Sequence, residues 1–93
     1  MDEILATVIE VVGDVARQQL GRVVVIKPET DFLEDLSFAS LDYAEIVAIL
    51  ETRLGVDPFK EGSSLERVRT VDDLAQIYVR LKASGGTPDR PRP

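Results

Sequence analysis

The 93-residue chain carries a formal net charge of −6 and 44% hydrophobic residues, the balance of one small soluble domain with no room for an active-site cavity between domains. It contains neither cysteine nor histidine, which excludes a disulfide framework, thiolate metal sites and the Ser-His and Cys-His nucleophilic pairs. Aromatics make up only 5%, so the core falls to Leu, Ile, Val and Ala, and the acidic start and lack of a long apolar run set the expectation of a cytoplasmic protein.

Ile4, Leu5, Val8, Ile9, Val12, Val15, Ala16 and Leu20 fall at i, i+3, i+4, i+7 spacing and predict a first helix over residues 2–20. Gly13 within it costs about 1 kcal/mol of propensity, and Gly21 is its stop. Residues 23–26 are a β-branched run with no second strand to pair with, and read as an extended stretch packed on the helices. Pro28 then marks a turn. Residues 30–36 suit a short helical turn with Phe32, Leu33 and Leu36 pointing inward.

A second helix spans residues 40–54, ended by Gly55 with Pro58 shortly after, and Phe59 is expected to close the core. Ser63 and Ser64 can cap a brief helix over residues 65–68. Thr70-Val71-Asp72-Asp73 resembles a capping box, with Asp in place of the longer Glu or Gln. It opens a last helix whose inward face holds Val71, Leu74, Ile77, Tyr78 and Leu81, and whose end carries Arg80 and Lys82. Residues 84–93 have almost nothing to bury and are expected to be a disordered tail behind a helical domain over residues 1–83. The expected fold is all-α: four helices, three main and one short, with a long loop between the first and second.

Charge is unevenly placed. Residues 29–61 hold nine acids against two bases, while the rest of the chain holds eight acids and nine bases. Such a field disfavours nucleic acid and anionic membranes as partners and steers basic protein patches to the centre of the chain; by itself it equally describes a solvated acidic surface. Glu34/Asp35 and Asp72/Asp73 are adjacent pairs that point about 100° apart on a helix, so they suit capping, solubility or weak divalent-ion binding rather than acid-base catalysis.

The second helix has two apolar faces. Ile46, Val47, Leu50 and Leu54 form the inward set, and Leu41, Ala44 and Ala48 form a narrower stripe that begins beside Ser40 and is flanked by Asp42, Glu45 and Glu51. A small apolar strip with an acidic rim is a docking surface for enzymes with basic patches, or else an ordinary amphipathic helix. Ser40 stands at the start of the helix after a loop, exposed and reachable, where serine alone reads as an N-cap with Asp42 near the positive helix end.

The run Asp31-Phe32-Leu33-Glu34-Asp35-Leu36-Ser37-Phe38-Ala39-Ser40-Leu41-Asp42 resembles the acyl carrier protein family, whose hallmark is Phe-x-x-Asp-Leu-Gly-x-Asp-Ser-Leu-Asp entering the second helix. The resemblance extends over residues 2–82 and is strongest over residues 32–54. Two positions depart from it: Ser37 stands where the family usually has Gly, and Ala39 where it has Asp. The resemblance implies a carrier-protein bundle, a 4′-phosphopantetheine arm taken from coenzyme A onto Ser40, and no catalytic residue and no metal ligand of the chain's own.

It further implies partners of three kinds: a phosphopantetheinyl transferase that supplies metal and base, a loading ligase, and downstream synthase or transferase enzymes. These would meet a monomer at Leu41, Asp42, Ala44, Glu45, Ala48 and Glu51. The arm's thiol would hold the cargo, which removes any need for cysteine. Fatty-acyl or polyketide-type cargo is the preferred reading, beside an aminoacyl or peptidyl carrier for an adenylating ligase and, in another class, a helical adaptor never modified on Ser40.

Overall fold

A computed structural model describes residues 3–58 and 68–83. Among these residues the regular elements are three α-helices with no β-strand: α1 over Glu3–Leu20, α2 over Ser40–Leu54 and α3 over Val71–Ala83. The expected short helix, Phe59 and the tail lie outside the described residues, apart from Val68, which is half-buried and not helical.

Burial follows the predicted stripes. In α1, Val8, Val11, Val12, Val15 and Ala16 are buried, and Ile4, Leu5 and Ile9 pack half-buried against them. Val11 completes the stripe, whereas Leu20 sits in the last turn and stays exposed, against expectation. Gly21 ends the helix in the left-handed region at φ 75°, its N–H donating to the Arg17 carbonyl at 2.9 Å. α1 packs on both α2 and α3. Arg53 of α2 reaches Glu10 of α1 at 3.0 Å, and Lys82 of α3 donates to the Leu54 carbonyl at the end of α2, also at 3.0 Å.

Residues 21–39 join α1 to α2. The β-branched run packs by alternate residues only: Val24 and Ile26 lean on the core while Val23 and Val25 are exposed. A single extended strand offers one face to a helix and the other to water, so half of the expected packing is absent.

The second half of this connection is tied to the entry of α3. Asp31 and Thr70 form an isolated antiparallel bridge, Phe32 N–H donates to the Arg69 carbonyl at 2.9 Å, Val71 N–H to Thr30 at 3.0 Å and Asp72 N–H to Pro28 at 2.7 Å. Thr70 and Asp73 form the capping box the sequence predicts. Asp73 N–H donates to Thr70 Oγ1, and Asp73 Oδ2 accepts from the Thr70 and Arg69 N–H groups, all within 3.0–3.1 Å. Those backbone bonds from Arg69 and Thr70 hold the Asp73 carboxyl below its ordinary range.

Candidate functional site

Three residues before α2 the chain makes a turn built by Asp31. Its Oδ1 accepts the N–H groups of Leu33 and Glu34 at 2.9 and 2.8 Å, and its own N–H donates to Asp35 Oδ2 at 2.8 Å. The Asp31 and Asp35 carboxylates are thus engaged in capping, and among the described residues no group of three or more acids is placed to hold a metal ion. The turn drives Phe32 and Leu36 into the core and leaves Leu33 67% exposed, so only two of the three residues expected inward are so placed. Leu33 is turned about 100° from Phe32, which puts it on the side of the turn away from the core.

Ser37 closes this turn at φ 56°, the left-handed region that side chains disfavour. Phe38 then folds back, its N–H on the Phe32 carbonyl at 2.9 Å. Its ring stacks near Phe32 at 6.3 Å between centroids, and Phe32 in turn meets Tyr43 edge-on at 5.4 Å. These three rings line a cleft of about 240 Å³ that Leu33, Ala39, Ser40 and Val68 complete.

The N-cap of α2 is Ala39, extended at φ −95° and ψ 174°, and Ser40 is the first helical residue. The helix thus begins at residue 40 as expected, and the alternative reading of Ser40 as no more than its cap is set aside. Alanine offers no acceptor, so one half only of a capping box exists: Asp42 Oδ2 accepts the Ala39 N–H at 2.9 Å. The first intrahelical bond runs from Tyr43 N–H to the Ala39 carbonyl at 3.1 Å, which leaves the N–H groups of Ser40, Leu41 and Asp42 without a backbone acceptor among the described residues. The Ser40 side chain is exposed and makes no hydrogen bond among the described residues, so its hydroxyl is not committed to capping.

This arrangement suits a phosphate ester at Ser40. An anion there meets the positive end of α2 and three unengaged N–H donors, with no capping side chain in competition. The structure also gives the expected docking stripe its position. Leu41 is 79% exposed, Ala44, Ala48 and Glu51 are exposed, and Asp42 and Glu45 are half-buried, while Ile46, Val47 and Leu50 are buried and Leu54 half-buried. Neither Glu45 nor Glu51 has an ion pair among the described residues.

No family model matches the chain. An acyl carrier protein of Syntrophobacter fumaroxidans is 30% identical over 82 residues, covering 88% of this chain and 99% of that protein. One of Thermosynechococcus vestitus is 39% identical over 78 residues, 83% of this chain and 93% of that protein. The chain belongs to the acyl carrier protein family. A further member, from Helicobacter hepaticus, is 40% identical over 50 residues, 53% of this chain and 62% of that protein. Among solved structures, that of MacpD, an acyl carrier protein from Pseudomonas fluorescens involved in mupirocin biosynthesis, matches with a TM-score of 0.61 and 28% identity, over 98% of this chain and 78% of that one.

Acyl carrier proteins are carriers and not catalysts. No helix among the described residues is long and apolar enough to cross a membrane. The sequence missed Tyr43. It stands at i, i+3, i+4, i+7 with Ile46, Val47 and Leu50, so it begins the inward stripe, and its i, i+3 relation to Ser40 sets both on the wall of the cleft.

Proposed function

We propose that this chain carries a thioester-bound acyl intermediate on a 4′-phosphopantetheine arm at Ser40 and delivers it to biosynthetic enzymes of the fatty-acyl or polyketide type. The observation that carries this reading is the uncommitted Ser40 hydroxyl at the first position of α2, beside three unengaged N–H groups. In a transferase's site the Ser40 oxygen displaces at the β-phosphate of coenzyme A, losing its proton to a base of the transferase and releasing adenosine 3′,5′-bisphosphate. When bound, the arm supplies the thiol that the chain lacks. Membership of the family supports the arm, and similarity to a carrier of mupirocin biosynthesis supports acyl rather than aminoacyl cargo.

The partner face on this reading is the strip of Leu41, Ala44 and Ala48 with Asp42, Glu45 and Glu51 around it, in a monomer acting in the cytoplasm. A carrier must release each enzyme in turn, so these contacts are small and transient. The transferase, the loading ligase and the downstream enzymes meet the same surface, each bringing a basic patch.

Intact mass of the folded chain after incubation with coenzyme A, magnesium and a broad-specificity phosphopantetheinyl transferase tests the proposal. A gain of one phosphopantetheine on wild type and none on Ser40→Ala is expected. No gain with several transferases would favour the unmodified adaptor.

A further inference from the structure

Tyr43 Oη and Tyr78 Oη are sealed from solvent and neither has a hydrogen-bond partner among the described residues. Buried hydroxyls are ordinarily paired, and phenylalanine at either position would fill nearly the same volume with no unpaired donor. They are the only tyrosines of the chain.

Their placement relates them to Ser40. The Tyr43 ring forms part of the cleft wall that Ser40 and Ala39 also line, held there by its edge-on contact with Phe32. Its hydroxyl is out of contact with water. Tyr78 comes from α3, is fully buried, and lies within electrostatic reach of Tyr43. The charged groups acting on the pair are Asp73 on Tyr43 and Asp57 and Glu51 on Tyr78, all acidic. Burial first, then for Tyr78 the neighbouring Tyr43, and then these acids keep both groups protonated, so each hydroxyl has a proton to donate.

We infer that Tyr43 and Tyr78 are a pair of hydrogen-bond donors for the cargo, and that they select an acyl chain bearing a carbonyl or hydroxyl oxygen over a saturated one. The inference rests on the carrier reading of Ser40 and narrows its cargo. A chain that enters the cleft along the Tyr43 ring passes between aromatic walls before it meets the hydroxyls. A saturated chain gains only apolar contact there and leaves both donors unpaired. An oxygenated chain gains the same contact and supplies the missing acceptor, and sites built around a polar partner discriminate strongly against the analogue that lacks it.

The test uses the full holo chain loaded with hydrolysis-resistant amide analogues of octanoyl, 3-oxo-octanoyl and 5-oxo-octanoyl cargo, each confirmed by intact mass before thermal unfolding is followed. At least one oxo cargo should raise the wild-type Tm by several degrees more than octanoyl does. The excess should vanish in the Tyr43→Phe/Tyr78→Phe double variant while the octanoyl response is kept. With ¹³C at the oxo carbon, its carbonyl resonance should lie downfield in wild type relative to the double variant. Equal Tm values for all three cargoes in wild type, with no carbonyl shift, would overturn the inference and leave the hydroxyls to a buried water. An excess that survives in the double variant would overturn it too. Failure of the chain to take the arm at all would instead sink the carrier reading.

Discussion

Replacing Ala39 by Ser supplies the acceptor that α2 lacks. Ala39 already has the extended backbone of an N-cap, so a serine there can accept from the N–H of Leu41 or Asp42 without a change of conformation. Gaining a cap side chain in place of alanine contributes ~1 kcal/mol, with a range of about 0.5–2. In a domain of this size that corresponds to a rise in Tm of roughly 4–8 °C. Serine is preferred to aspartate for this test because a second carboxylate would sit beside Asp42, which already accepts the residue-39 N–H.

Thermal unfolding followed by circular dichroism on apo wild type and apo Ala39→Ser reads the effect directly. The same comparison on the Ser40-modified forms should show a smaller gain, because the phosphate ester competes for the same donors, and the four proteins make a double-mutant cycle. An apo Tm within a degree of wild type would refute the reasoning that α2 begins uncapped. An equal gain in apo and holo forms would refute the idea that the ester uses those N–H groups.

Ser37→Gly should stabilise the fold by ~0.5–1 kcal/mol, since the left-handed conformation costs a side-chain-bearing residue about 1–2 kcal/mol and glycine returns part of that through its freer unfolded chain; a higher urea midpoint at unchanged m-value is the readout. Burial raises the folded-state pKa of both tyrosines, so their contribution is intact below the unfolded value near 10 and is lost as pH rises above it. Tyrosinate absorbance should therefore appear together with loss of helicity, and ionisation of either tyrosine while the helices persist would contradict the burial described. Glu45→Lys with Glu51→Lys should lower the transferase's kcat/KM several-fold at low salt and much less at high salt, and a salt-independent effect would argue against electrostatic steering.

The helices were legible because burial imposes a period. Every residue expected on the inward face of α3 is buried, and so are Ile46, Val47 and Leu50 of α2. The capping box at Thr70 and Asp73 was legible for a local reason, as its partners lie three residues apart. What the sequence could not convey depends on contacts between distant segments. The pairing of residues 28–32 with residues 69–72 fixes which side of the turn faces the core, and so exposes Leu33. The bounds of α2 were legible as well, since the expected residues 40–54 are those of the helix, although serine's preference for the cap left open whether Ser40 caps it.

That Ser40 is the first helical residue and not the cap bears on function. Had Ser40 been the cap, its hydroxyl would bond to the helix it begins, and a transferase would have to break that bond before the oxygen could act. As the first helical residue it is free, and the helix end behind it is left with donors that an ester can use. The cost of starting α2 this way is met elsewhere: by Asp42 reaching back to the Ala39 N–H, by the Phe32, Phe38 and Tyr43 rings, and by the bonds that tie residues 28–32 to the entry of α3. The bonds at Asp31, Phe32 and Phe38 place Ser40 at the mouth of an aromatic cleft, so the same contacts that support a weakly capped helix also set the attachment point beside the space a cargo would enter.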